Sequence, residues 1–312
     1  MPKRMQLIAR NCPVCGSAGR AEVYFPAAYD EARMGAFSFA SRKLPEYMHF
    51  QMLRCRDCDM LFSSPAPKDA WLAGAYEGAD FDSAPEARFA SLTYQRTLQG
   101  FLGRLPSLKG ALDIGTGDGA FLERLLELGF TGVRGVEPSS APIRAARPDV
   151  RKLIKKGIFS GGSFPANSFS LVTCFQTLEH APEPLKLAQA AYKILRPGGA
   201  FFTVAHNFRS LSAKILGQKS PIFDVEHLQV FSSQGLRLMY EGAGFEGAQP
   251  RPLTNRYPLS YWMRLLPLPP GPKGKLIGGL RALGLAKIQI PLRAGNLYAV
   301  GFKPLKEGGH RG

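Results

Sequence analysis

Four cysteines fall into two pairs of identical spacing, Cys12-Pro-Val-Cys15 and Cys55-Arg-Asp-Cys58. A C-x2-C turn places two thiolates on one side of a tight loop, and two such turns supply the four sulfur ligands of a closed tetrahedral zinc site. Gly16 follows the first pair and suits the turn that aims amide groups at sulfur. Four thiolates leave no position for water, so the expected zinc is structural rather than catalytic. The 39 residues between the pairs exceed the ~15–20 of a compact ribbon, and an inserted hairpin or helix is expected within residues 20–50. The fifth cysteine, Cys174, sits in the apolar run FSLVTCF and reads as a small core residue.

A second constellation is Ala111-Leu112-Asp113-Ile114-Gly115-Thr116-Gly117-Asp118-Gly119-Ala120, a strand signal running into a glycine loop that opens a helix. Glycines let backbone approach a ligand closely, and a helix N-terminus offers unpaired N–H donors. The spacing is G-x-G-x-G, not the G-x-G-x-x-G of dinucleotide folds. Asp113 and Asp118 would repel a pyrophosphate and suit a ligand with a cationic end. The next strand signal, Gly132-Val133-Arg134-Gly135-Val136, ends at Glu137, where a carboxylate can accept bonds from both ribose hydroxyls. The implied ligand is a nucleoside with a positively charged tail.

The elements that must position these residues alternate. After GALDIG come AFLERLLELG, VRGVEP, APIRAAR, FSLVTCF, LKLAQAAYKIL and AFFTVAH, a strand–helix alternation that predicts an α/β fold with a mostly parallel sheet. SSQGLRLMYEGAGF reads as a further helix with Ser232 or Ser233 as N-cap and Gly244 past its end. The chain divides into a zinc-binding module over 1–70, a helical connector over 71–107, a core over 108–250 and a basic segment over 251–312. Apolar residues at 45% and charged residues at 21% exclude a disordered chain. No apolar run approaches the ~18–20 residues of a membrane span, and the N-terminal stretch has no secretory h-region, so a cytoplasmic location is expected.

LDIGTGDGAFL, GVEPS, FSLVTCFQTLEHAPEP and LRPGGAFFTVAHN together resemble the successive motifs of class I S-adenosylmethionine-dependent methyltransferases, over about residues 108–250. With the cysteine pairs ahead and EHLQVFSSQGLRLMYEGAGF behind, the chain is similar to a subgroup associated with sugar and surface-polysaccharide biosynthesis. The resemblance implies a Rossmann-like seven-stranded sheet whose last strand is antiparallel. It implies that Asp113, Gly115, Gly117 and Gly119 border the methionine end of S-adenosylmethionine and that Glu137 holds its ribose. Ile158 and Phe159 would approach the adenine, and Gln176 would line the cleft. The acid that family members often carry near the adenine is missing from GIFSGGSF, which leaves backbone and apolar contacts for that role.

Methyl transfer to a hydroxyl or carbon acid needs a base, and α/β sheets place ligands at the carboxyl ends of their strands. Three histidines follow or flank such ends: His180 in Gln176-Thr177-Leu178-Glu179-His180, His206 in Val204-Ala205-His206-Asn207, and His227 in Asp224-Val225-Glu226-His227. His180 ranks first, because the resemblance implies a cleft-facing Glu-His pair there. Glu179 is expected to orient a neighbour or cap backbone, and His49 and His310 carry no expected role.

The formal net charge is +16, and residues 251–312 hold eleven Lys/Arg against Glu307 alone, a local excess of +10. Such a segment suits a lid over the acceptor pocket, a peripheral membrane surface, or contact with nucleic acid. The leading expectation is an enzyme that methylates a small molecule, above all a nucleotide-linked sugar or glycan precursor. The alternatives are an RNA methyltransferase that grips the backbone through the zinc module and tail, and a non-catalytic module that keeps only the cofactor fold.

Overall fold

The computed structural model describes residues 5–35, 38–39, 46–79, 84–266 and 268–305, the side chains of 84, 85 and 270 excepted. His310 and the charges at 306, 307 and 311 lie outside the described residues. Seven strands, numbered here β1–β7 in chain order, form the central sheet: Lys109–Ile114, Thr131–Glu137, Ile154–Lys156, Phe169–Phe175, Leu195–His206, Arg251–Pro252 and Asn296–Phe302. Their spatial order is β6-β7-β5-β4-β1-β2-β3. β1 pairs in parallel with β2 and β4, β4 with β5, and β2 with β3, whereas β7 runs antiparallel to β5. The sheet is the seven-stranded α/β architecture that the motifs imply.

Local chemistry explains the elements. β4 is buried along nearly its whole length, so its apolar residues form an uninterrupted run rather than an alternation, as expected for a parallel strand covered on both faces. The helix Ala120–Glu127 leaves Gly119 in the left-handed region and buries Phe121, Leu122 and Leu125. Ser232 caps the helix Ser233–Gly242, its hydroxyl accepting from Gly235 N at 3.0 Å, and Gly244 follows at φ 91°. That helix buries Tyr240, whose hydroxyl lies 3.0 Å from Ala299 O on β7 and 2.9 Å from Thr203 Oγ1 on β5. The connector forms the helices Asp69–Glu77 and Ala84–Gln99.

The insertion between the cysteine pairs contains a strand, Ala21–Phe25, that pairs antiparallel with Met52–Cys55, and a single helical turn at Glu31–Arg33. These strands belong to a four-stranded sheet that Leu61–Ser63 extends and that Gln229–Val230, from the far half of the chain, completes. Cys12, Cys58, Met60 and Phe62 pack in one cluster with Phe231, Leu236 and Met239 of the core. Val225 and Leu228 pack with Met48, Phe50 and Leu72. The cysteine-bearing segment therefore shares both its sheet and its apolar core with residues 225–239.

Arg10 fastens this junction. Its guanidinium donates to Ser63 O at 2.9 Å, Pro182 O at 3.0 Å, Leu228 O at 3.1 Å and Gln229 Oε1 at 2.7 Å. Burial pulls its pKa down to about 10, which leaves it charged at neutral pH. Residues Asn255–Pro258 and Gln289–Leu292 form an antiparallel ribbon, with the helices Leu259–Arg264 and Pro270–Ala282 between them. This arm is the expected excursion, and it returns to the sheet as β7.

Arg10→Met would strip donors from several buried acceptors at once and should cost about 2–4 kcal/mol. Arg20→Met, at an ion pair with Asp57 whose arginine side chain is 71% exposed, should cost no more than about 0.5 kcal/mol. Denaturant midpoints of the two variants check the contrast.

Candidate active site

Parallel pairing of β1 with β2 sets Ile114 beside Val136, so the glycine loop that leaves β1 lies against the carboxylate that ends β2. Glu137 Oε2 accepts from Gly117 N at 2.9 Å, and Oε1 accepts from Ser139 N at 2.9 Å. Burial raises the Glu137 pKa, and these two amides oppose the rise. Gly115 and Gly117 have φ of 72° and 58°. A Cβ on Gly115 would run into the side chain of Thr177, whereas a Cβ on Gly117 would meet nothing within 4 Å. Gly115 is thus required by packing, and Gly117 presents bare backbone to open space. Asp113 is buried beneath the loop, with Thr173 Oγ1 donating to its Oδ1 at 2.6 Å, and burial pushes its pKa up to about 7.

One cavity of about 970 Å³ runs along this edge. Asp113, Gly115, Gly117, Asp118 and Glu137 line one part of it, and Ile158, Phe159 and Gln176 line it further along. Gly119 does not line it; a Cβ there would strike Val150 instead. Ile158 is 61% exposed at the rim, while Phe159 is buried. Gln176 holds φ at 49° at the end of β4 and accepts from Tyr94 OH at 3.3 Å. The bare loop and the buried carboxylates fit a ligand with a nucleoside body and a cationic end, S-adenosylmethionine in chemical outline.

The same cavity reaches all three histidines. The ring centroids of His180 and His227 are 4.9 Å apart, and those of His206 and His227 are 5.0 Å apart. Each Nδ1 faces a fixed oxygen: Glu226 O at 3.1 Å for His180, Asn296 Oδ1 at 2.9 Å for His206, and Ile222 O at 2.9 Å for His227. A backbone carbonyl only accepts, so in neutral His180 and His227 Nδ1 carries the proton and Nε2 the lone pair. Burial drops the His180 pKa to about 4, and the neighbouring His206 adds to the drop. Glu179 lies behind the cluster, its carboxylate accepting from His206 N, and burial raises its pKa to about 7. It acts on backbone, as the sequence suggests.

The four cysteine Sγ atoms lie within 4.8 Å of one another. Cys12 and Cys58 approach to 3.4 Å, and Cys15 and Cys55 to 3.5 Å. A tetrahedral zinc with ~2.3 Å bonds to sulfur needs S···S separations near 3.8 Å, whereas a disulfide needs about 2.05 Å. The cluster therefore fits zinc. Gly16, at φ 72°, donates to Cys12 O at 2.9 Å and closes the first turn. Asp59, next to Cys58, holds Arg54 at 2.8 Å and Arg209 Nε at 3.0 Å, which ties the second turn to the segment after β5.

Several residues at the site escaped sequence reasoning. Tyr76 donates to Glu226 O at 3.0 Å and lies 3.4 Å from His180 Nδ1. Arg10 holds the His180 loop through Pro182 O and the His227 loop through Leu228 O. Asn255 is 2% exposed, lines the cavity, and its Oδ1 has no partner among the described residues. The only sequence signal among these was Glu226, through its place beside His227.

The profile of the methyltransferase-domain family matches residues 87–249 of the chain. The chain is 28% identical over 183 residues to the ubiquinone biosynthesis O-methyltransferase of Paracidovorax citrulli, covering 52% of this chain and 76% of that protein. It is 27% identical over 121 residues to the Histophilus somni protein of the same name, covering 35% of this chain and 50% of that one. The chain thus spans about half the length of some of the curated relatives it matches. A chain of the solved complex of the Haloferax volcanii Trm112 methyltransferase activator superimposes with a TM-score of 0.50 at 19% identity, over 77% of this chain and 97% of that one. That likeness speaks to the fold alone.

Two measurements check the geometry. Metal analysis should give one zinc per chain, and Cys58→Ser should lose it and lower the melting temperature by about 10 °C. In NMR titration the ring signal of His180, assigned by its loss in His180→Ala, should stay at the neutral position down to about pH 5, where an unshifted histidine is almost wholly protonated.

Proposed function

Because the chain belongs to the S-adenosylmethionine-dependent methyltransferase family, matched over residues 87–249, we propose that it methylates a hydroxyl oxygen of a small, phosphate-free acceptor with an apolar part. The observation that carries this reading is the cavity that joins the glycine loop to three closely packed histidines. S-adenosylmethionine, when bound, supplies an electrophilic methyl group on a sulfonium. Gly117 and Glu137 would hold the nucleoside, Asp113 and Asp118 would attract its cationic end, and Phe159 would border the base.

The chain's own chemistry lies on the acceptor side. A hydroxyl that attacks carbon must lose its proton, and the Nε2 lone pair of His180 is the first candidate to take it. Burial keeps that ring neutral at physiological pH. Tyr76 and the Glu226 carbonyl hold its orientation. His227 lies between the other two rings and gives the proton a short onward route.

Charge selects the acceptor. Among the described residues, eight carboxylates line the cavity against one ammonium, Lys186. A diphosphate would meet net repulsion there, which favours a phosphate-free acceptor over the nucleotide-linked sugar expected from the sequence. Tyr257, Tyr261, Trp262, Met263 and Leu265 give the acceptor side an apolar wall. Oxygen as the methylated atom has support from the relatives named O-methyltransferases. The histidines that share the cavity with the glycine loop weigh against a non-catalytic module, and the carboxylate lining weighs against an RNA strand.

Methyl-labelled cofactor offered together with hydroxylated aromatics bearing alkyl tails, with nucleotide-linked sugars and with RNA tests the reading. Label should enter an ether of the first class. His180→Ala should lower kcat by about a hundredfold or more, with cofactor affinity within about threefold of the parent chain. Transfer to a nucleotide-linked sugar or to RNA, or full turnover in His180→Ala, would contradict it.

A further inference from the structure

Exposed aliphatic side chains are concentrated beside the cavity mouth. Of the fifteen large hydrophobic residues that are exposed among the described ones, seven lie between Leu266 and Leu292. Leu283 is 71% exposed, and Leu276, Leu285 and Ile288 are each exposed by more than a third. The short helix Leu211–Leu216 adds Leu211 and Ile215, spaced i, i+4 on one face and each more than 70% exposed. It sits against the root of the arm, where Asn207 N donates to Gly295 O at 2.8 Å. Leu216, Leu265, Leu266 and Leu292 line the cavity, so the exposed apolar surface is continuous with the wall of the site.

Charge along this segment has one sign. From Gly247 to Leu305 the chain carries nine Lys/Arg and no Asp or Glu. Lys275, Arg281 and Lys287 are exposed among the same aliphatic residues. From this combination we propose that the arm over residues 255–293, with the helix Leu211–Leu216, docks the enzyme on an anionic lipid bilayer with the cavity mouth toward the membrane. Exposed leucines and isoleucines enter the boundary between headgroups and acyl chains, while the cations remain among the anionic headgroups.

The other occupants fit less well. An isologous contact with a second copy would set this excess of positive charge against itself. A nucleic-acid surface needs cations with exposed aromatic platforms, whereas Tyr257 and Trp262 are buried here and the exposed residues are aliphatic. The inference does not depend on the identity of the acceptor. An acceptor with an apolar tail, should the preceding reading hold, would pass from bilayer to cavity without crossing water.

Sedimentation of the full chain with sucrose-loaded vesicles tests the proposal. Phosphatidylcholine vesicles containing phosphatidylglycerol should bind it at least about tenfold more tightly than phosphatidylcholine alone, and added salt should weaken binding. The double variants K275E/R281E and L276S/L283S should each lower that partitioning about tenfold or more. None of these four residues lines the cavity, so calorimetric binding of S-adenosylhomocysteine should be unchanged and should report folding separately. Three results would overturn the proposal: no association with anionic vesicles by protein that binds S-adenosylhomocysteine, equal partitioning of parent and variants, or a dimer or an RNA complex that the same substitutions abolish in place of vesicle binding.

Discussion

The contact on which this molecule depends is the one between the Glu137 carboxylate and the Gly117 amide. Two parallel strands end side by side, and the loop leaving one is held by the acid ending the other. The arrangement keeps a carboxylate buried at the rim of a cavity, where it stays hydrogen-bonded and retains acceptor capacity for a ligand. It also keeps the backbone at Gly117 bare, with room that a side chain would fill. Remove the carboxylate and the half-buried Gly117 amide loses its partner just where the loop must hold its shape.

A second constraint couples the cysteine cluster to the chemistry. The histidines sit on three separate segments, after β4, at the end of β5, and in the loop before Gln229. Such loops are poorly defined by themselves. Here Arg10 holds two of them through backbone carbonyls, and Tyr76 holds the shared Glu226 carbonyl. Both residues come from the N-terminal part of the chain, whose turns a bound zinc would fix. A metal held by the four cysteines would thus act on the histidine loops at a distance, through the hydrogen bonds of Arg10.

The readable parts of the sequence were local. Glycine spacing, the strand-ending acid and the paired cysteines each lie within a few residues, and each meets a stereochemical demand that few other patterns satisfy. The α/β alternation was legible for the same reason, because a buried parallel strand is a short apolar run. What remained hidden acts across the chain: Arg10 meets partners 172 to 219 residues away, and Tyr76 meets His180 across 104 residues. A strand from residues 229–230 completes the N-terminal sheet, and no periodicity in so short a segment announces it. Charge gave a divided lesson. The basic tail was plain in the composition, but the acidic lining of the cavity comes from residues scattered between Asp69 and Glu226 and emerges only when the chain is folded.

The cavity beside the glycine loop should receive a cationic adenosine derivative. Titration calorimetry of the zinc-loaded chain with S-adenosylmethionine and with its demethylated product measures it most directly. Both compounds should bind saturably, one to one, and Glu137→Ala should weaken that binding at least about tenfold. No heat from either compound with folded protein, or undiminished binding after that substitution, would contradict it.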